Sequence, residues 1–498
     1  ALILMLPCSL YTSAMPIFDV KFSRAIAYSD DDWWGRGVQY GRVLVLKHST
    51  QGQNNVLLAT HSAMTAGLED YNPRYPIYRS VDQGKTWECI THVTDTMSGV
   101  NSEWNPHLFE LEKPCGDYPA GTIVLAACSI DAGHKVRSHI RLYFSRDGGM
   151  TFDQGVIVAT AGGLEEGVWE PFLLQLDDGR LVCYYSDDSD PEHSQKIVYK
   201  VSSDCVNWGE VVDVVATDIF KERPGMPVVT RLGDGSYFMV YEVVDKNGVS
   251  GNPVCCRTSK DALDWGDPKD IGEEIVNYDG SMALGSAPYC AWTPVGSENG
   301  TLIVSGTFMR KGYSSTGTDY FLSTDNGKSW MTIPHVIPYT VADHVGYSNA
   351  FTFSADGKIM YAINNPQDPR NPEKSKIVFA AVELEENAYN SDENKATDSP
   401  PQSEDNGLTS SPQKDDSPQT NDTQPDVSEA PTNEDDVMTE DGGETKTNPL
   451  LIVLIGVIGF TVVASAAIGT AIIYYKMNRQ SVLVENLRLT VDERFDIS

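Results

Sequence analysis

Ser80-Val-Asp82-Gln-Gly84-Lys-Thr86-Trp87 is the stretch on which the reading of the fold turns. It recurs as Ser145-Arg-Asp147-Gly-Gly149-Met-Thr151-Phe152 and as Ser323-Thr-Asp325-Asn-Gly327-Lys-Ser329-Trp330. The pattern is S-x-D-x-G-x-[ST]-[WF], the Asp box. Its spacing has a physical basis. A carboxylate accepts backbone N–H groups across a tight turn, a glycine takes a positive φ without a Cβ clash, and an aromatic ring packs beneath the hairpin. Two shortened copies, Ser202-Ser-Asp204-Cys-Val-Asn-Trp208 and Ser259-Lys-Asp261-Ala-Leu-Asp-Trp265, lie between the full ones. The five copies start 57 to 65 residues apart. A repeat of that period in a β-rich chain marks a propeller or solenoid.

Each interval carries a second repeat: an X-Pro step, an apolar strand, a turn and another apolar strand. Two copies align without gaps, Glu170-Pro171-FLLQLDDG-RLVCYYS186 and Met226-Pro227-VVTRLGDG-SYFMVYE242. β-branched and apolar runs broken by Asp-Gly and Gly-Asn turns read as strands. With the Asp-box hairpin each unit has four strands, one propeller blade. A sixth blade then requires the start of the folded region, DVKFSRAIAYS, to pair with its end, KIVFAAVELE, which closes the ring and removes free edges. The fold expected is all-β, a six-bladed propeller over 18–386.

In such a blade the start of the first strand and the end of the second meet at the mouth of the ring, and the Asp box sits on the opposite face. Asp82, Asp147, Asp204, Asp261 and Asp325 are therefore read as structural. The chemistry belongs where the repeat is interrupted at the mouth. Glu170 stands where the next blade has Met226, and Glu242 where the previous blade has Ser186. Trp169 and Tyr241 flank them. Two carboxylates in a partly apolar cleft are what glycoside hydrolysis uses, one near the anomeric carbon and one as proton donor. The competing reading is two glutamates on surface loops. Trp33, Trp34, Arg36, Asn105, Arg223, Tyr289, Arg310 and Tyr347 fall at rim positions suited to stacking on sugar or bonding its hydroxyls. For each, a purely structural role is the alternative.

The blade plan, with GVWEP at Glu170 and YE at Glu242, resembles glycoside hydrolase family 93, the exo-acting α-L-arabinanases of the sialidase-like superfamily. The resemblance covers residues 18 to 386. It implies retaining hydrolysis at the end of an α-1,5-arabinan chain with release of arabinobiose, Glu170 acting as nucleophile and Glu242 as acid/base. It implies no cofactor. A true sialidase is a second expectation. It needs three arginines around a carboxylate, drawn from Arg24, Arg36 or Arg42 with Arg223 or Arg257 and Arg310, and Tyr347 as nucleophile. A third is a non-catalytic glycan-binding receptor or adhesin.

Composition bounds the rest. The formal net charge of −33 argues against nucleic-acid partners. No metal-ligand cluster or phosphate loop appears. Residues 1–14 read as the remnant of a secretory signal peptide. Residues 387–449 form an acidic, Pro- and Ser-rich stalk that cannot bury enough apolar surface to fold. Residues 450–475 are uncharged over 26 positions, long enough to span a bilayer, and Lys476 and Arg479 follow on the side expected to face the cytosol. Residues 476–498 are the expected cytosolic tail. This makes a cell-surface type I membrane protein with an oligo- or polysaccharide as partner. The eight cysteines from Cys89 to Cys290 then suggest disulfides of unreadable connectivity, and Asn299-Gly-Thr301 and Asn421-Asp-Thr423 suggest glycosylation.

Overall fold

The computed structural model describes residues 15–28, 38–49, 56–63, 74–96, 100–131, 138–162, 166–249, 251–311, 318–339, 348–368 and 371–385. The expected leader, stalk, membrane span and tail lie outside the described residues. Among the described residues no helix is long and apolar enough to cross a membrane.

Six antiparallel sheets of four principal strands make the blades. From the axis outward, the first blade is Val38–Val45, Leu57–Ala63, Tyr75–Ser80 and Glu88–Val93. The second begins with Val100–Glu110 and Ile123–Asp131, the third with Val168–Gln175 and Leu181–Asp187. The fourth begins with Arg223–Arg231 and Tyr237–Val244, the fifth with Tyr289–Thr293 and Thr301–Ser305. The sixth runs Ala350–Phe353, Ile359–Asn364, Asn371–Glu385 and then Ile17–Tyr28, so its outermost strand comes from the other end of the chain. Ile17 lies opposite Glu385 and Tyr28 opposite Lys376. The first strands touch their neighbours round the ring, and Val38–Val45 meets Ala350–Phe353. Pairing of the two ends closes the ring as the sequence predicts. The fifth blade adds a small extra hairpin, Ala283–Gly285 with Phe308–Lys311.

All five Asp boxes lie between third and fourth strands, and they fasten one blade to the one before. Asp82 Oδ1 accepts from Thr86 N and the Ser80 hydroxyl, both at 2.8 Å, and Oδ2 accepts from the Thr86 hydroxyl at 2.7 Å. Asp147 and Asp325 repeat this with Thr151 and Ser329. In the short boxes Asn207 or Asp264 takes over. Asn207 holds the Asp204 carboxyl well below the usual range, and the Asp264 N–H lowers that of Asp261. Gly84 has φ 84°, and a Cβ there would stand 2.1 Å from the Phe379 ring of the sixth blade, so no other residue fits. Trp87 packs edge-on against the same Phe379 at 5.1 Å. Trp330 meets Phe238 of the fourth blade at 5.9 Å, and Trp265 meets Tyr184 of the third at 6.1 Å. The box is a plug driven into the preceding blade.

All eight described cysteines stand as thiols, seven of them buried. Most act as small apolar residues within strands: Cys128 and Cys290 give their S–H to the carbonyls of Val168 and Val228, both at 3.5 Å.

Candidate active site

Near the start of each first strand a non-glycine residue has left-handed backbone, with Ser286 beside Ala287 doing so as well in the fifth blade. The six are Tyr40 (φ 59°), Asn105 (53°), Glu170 (53°), Met226 (57°), Ala287 (40°) and Ser348 (72°). In the first four blades each falls within a register shift against the second strand. A bulge of this kind re-aims a side chain, at a cost of about 1 kcal/mol for a non-glycine residue. Four of the six, Tyr40, Asn105, Glu170 and Met226, line one cavity. Tyr40, Met226 and Ala287, from three different blades, form a small apolar cluster of their own. Glu170 is the single acidic member of the ring.

Two residues further along, Arg42, His107, Phe172, Val228, Tyr289 and Ala350 are all buried. His107 and Phe172 lie 4.3 Å apart between ring centroids, Phe172 and Tyr289 6.4 Å. The Arg42 guanidinium sits 3.9 Å from the Tyr40 ring and 5.3 Å from that of Tyr289. This second ring is a packed floor across the channel.

The second strands supply a latch. Ser62 Oγ accepts from Asn105 N at 3.1 Å, joining blades one and two. Ser186 Oγ accepts from Met226 N at 3.0 Å, joining three and four. Ser62 pairs with Gln39, Ser186 with Trp169 and Glu242 with Gly225, all at the same register. Glu242 does what the serines do: its Oε2 accepts from Ala287 N and the Ser286 hydroxyl, both at 2.8 Å, joining blades four and five. It is a latch residue long enough to present a carboxyl at the mouth as well.

Glu170 and Glu242 line one cavity of about 410 Å³ with Asn105, Arg223 and the indoles of Trp104 and Trp169. The two indoles stand 6.1 Å apart. Glu170 Oε2 and Asn105 Oδ1 are buried without a hydrogen-bond partner among the described residues. Burial pushes the Glu170 carboxyl up to about 7; the Ser186 hydroxyl and Met226 N–H oppose this, and the Glu242 charge adds to it. Burial raises Glu242 too, against the pull of Ala287, Ser286, Asn252 and the Arg223 charge. Burial keeps Glu170 largely protonated up to about neutrality, while donors and the Arg223 charge favour ionised Glu242, which suits a pair of which one is charged and one is acid.

Arg223 is itself held, by Ser194 O at 2.7 Å and Gln195 Oε1 at 2.8 Å. Its other neighbour, Asp188 at 3.8 Å, accepts from Trp169 Nε1 at 3.1 Å and so fixes that indole. Gln39, Tyr40, Ser62, Trp104, Asp188, Gln195 and Met226 complete the wall and were not singled out in the sequence. Two rim expectations are corrected. Tyr289 belongs to the floor, because it lies two residues beyond the left-handed Ala287 and packs in the core. Arg310 is ion-paired with Glu274 and packs at Gly251 and Gly285 in the extra hairpin of blade five. Trp33, Trp34, Arg36 and Tyr347 lie outside the described residues.

The sialidase trio does not converge among the described residues. Arg24 is exposed on the outermost strand, Arg42 is in the floor, and Arg257 bonds the Val214 carbonyl at 2.7 Å. Of the arginines named for that trio, Arg223 alone lines the cavity among the described residues.

No protein-family model and no curated protein matches the chain. Solved structures do. An α-L-arabinanase of Penicillium chrysogenum, complexed with arabinobiose, is 32% identical over 74% of this chain and 98% of its own, with a TM-score of 0.61. An α-L-arabinofuranosidase of Fusarium graminearum, bound to an iminosugar inhibitor, is 30% identical over 73% and 98%, with a TM-score of 0.62. A family 93 α-L-arabinofuranosidase of Fusarium graminearum, in complex with arabinobiose, is 29% identical over 74% and 98%, with a TM-score of 0.61. The match spans the whole propeller, and by it the chain belongs to glycoside hydrolase family 93.

Proposed function

We propose that the protein is a retaining, exo-acting hydrolase of α-L-arabinofuranosyl linkages, with Glu170 and Glu242 as its catalytic pair and arabinan as its substrate. The observation that carries this is the meeting of the two carboxyls, from adjacent blades, in a single indole-walled cavity. The relatives that carry arabinobiose supply the substrate class. The Trp104 and Trp169 rings offer stacking faces to a furanose ring, and Asn105 Oδ1 an acceptor for a hydroxyl. Arg223 steadies the charged form of Glu242.

In the reading taken from the family, Glu170 attacks the anomeric carbon while Glu242 protonates the departing oxygen. Glu242 then deprotonates the water that releases the sugar. Burial favours a proton on Glu170 in the free site, so this order requires bound substrate to favour the proton on Glu242 instead. Azide rescue of alanine variants distinguishes the roles. Loss of the nucleophile gives a glycosyl azide of inverted configuration, and loss of the acid/base gives one of retained configuration. The primary test is release of arabinobiose from linear α-1,5-arabinan by the full chain, with an aryl sialoside as comparison. Cleavage of the sialoside alone, or arabinan cleavage undiminished in both Glu170→Gln and Glu242→Gln, overturns the reading.

We further infer that this enzyme is displayed outside the cell: a leader at 1–14, the propeller at 18–386, a stalk at 387–449, a span at 450–475 and a tail at 476–498. The uncharged run of 26 residues and the basic side chains directly after it support that topology. Mild proteolysis of intact cells should release an active propeller. Retention of all activity inside the cell sinks the topology without touching the chemistry.

A further inference from the structure

We propose that Cys115 and Cys205 form a disulfide that staples the second blade to the third. Cys115 lies in the loop between the first two strands of the second blade, where it bridges to Tyr118. Cys205 lies in the short Asp box of the third blade. Both are buried, at 1% and 0% exposure, within one apolar cluster. The Cys115 thiol reaches the Ser202 carbonyl of that box at 3.9 Å and interacts directly with the Cys205 thiol. The two backbones are in contact beside them, since a Cβ on Gly116 would stand 2.7 Å from Asp204 Cα. That proximity, with the thiol–thiol interaction, places the two cysteines within reach of each other, as a disulfide requires.

The other cysteines lack this arrangement. Cys255 and Cys256 are successive in one strand and point to opposite faces. Cys128, Cys183 and Cys290 give their thiols to backbone carbonyls, exposed Cys89 does so to Thr91, and among the described residues none of these makes a thiol–thiol hydrogen bond as Cys115 does with Cys205. Cys205 also occupies a left-handed position (φ 63°), where the full boxes carry glutamine, glycine or asparagine and the other short box carries Ala262. In that other box Trp265 Nε1 bonds the Ala262 carbonyl at 3.1 Å, whereas Trp208 Nε1 is buried without a partner among the described residues. The third-blade box departs from its siblings at the residue that faces Cys115.

Oxidation breaks two S–H bonds and forms one S–S bond. The two protons and two electrons pass to a small-molecule disulfide such as oxidised glutathione, which becomes two thiols. The bridge closes a loop of about 90 residues, and so restricts the unfolded chain far more than a local link does. The full chain is equilibrated with reduced and oxidised glutathione, unfolded in an alkylating agent and digested. A crosslinked peptide pair carrying Cys115 and Cys205 is expected; recovery of both as alkylated thiols, or of either joined to another cysteine, overturns the proposal. Reductant should lower the Tm of the oxidised parent by about 5 °C and leave a Cys115→Ala/Cys205→Ala variant unchanged. An equal fall in both also overturns it, and peptide mapping of the parent decides the matter should that variant not fold.

Discussion

Acidic side chains gather on two faces of this propeller and behave in opposite ways. On the Asp-box face, five aspartates at the hairpin turns accept hydrogen bonds from their own turns, and all five are held below the ordinary carboxylate range. At the mouth, two glutamates in a buried cavity are held above it. Donors decide the difference. A turn offers three or four N–H and O–H groups to one carboxylate in contact with solvent, whereas the mouth offers Glu170 little and removes the water. The first arrangement stabilises a charge and fixes a shape. The second keeps a proton available at the cost of stability.

That contrast breaks first at the glutamates. Glu170→Gln and Glu242→Gln should each lower kcat on arabinan by about 10³-fold, with the fold intact by circular dichroism. Asp82→Ala should leave kcat within about twofold. Equal losses at both faces would erase the distinction.

The next effect is on stability. Burial holds Glu170 up at about 7 in the folded chain, whereas the unfolded chain leaves it at the ordinary glutamate value of 4.5. Between those values the unfolded state binds fewer protons than the folded one, so stability falls as pH rises through that window, and the full penalty persists above it. Glu170→Gln removes the penalty. It should therefore be more stable than the parent by about 2 kcal/mol at pH 8, after allowance for partial exposure of the cavity, and no more stable at pH 4. Denaturant titrations at the two pH values check this.

Asp82→Ala should destabilise by about 1 to 2 kcal/mol through lost turn bonds, measured by the same titrations at pH 7. The smallest change comes at the latch. Ser186→Ala removes a hydroxyl that favours ionised Glu170, so the alkaline limb of kcat/KM should move to higher pH by a few tenths of a unit. A shift to lower pH would mean that Ser186 acts chiefly through the backbone of Met226.

Much of this was legible in the sequence because turn chemistry is local. Eight consecutive residues carry an Asp box, its carboxylate, its glycine and its aromatic, and the period between copies counts the blades. The closing strand pair could be read because its two apolar runs had no other partner. Glu170 and Glu242 showed as departures between two aligned repeats. The ring of left-handed residues did not show, because Tyr40, Asn105, Glu170, Met226, Ala287 and Ser348 share a backbone conformation and no residue type. Without that register, Tyr289 could be assigned to the rim when it lies two places past the left-handed Ala287, in the floor. Asp188 and Gln195 escaped notice because their role is to hold Trp169 and Arg223, which are distant in the chain.

The packed floor has a consequence for traffic. With Arg42, His107, Phe172 and Tyr289 across the channel, a polysaccharide has no exit on the far side and cannot be threaded through the ring. A saccharide bound in the cavity at the mouth would have to leave on the side from which it came, so that released product would compete with the next chain for the same cavity.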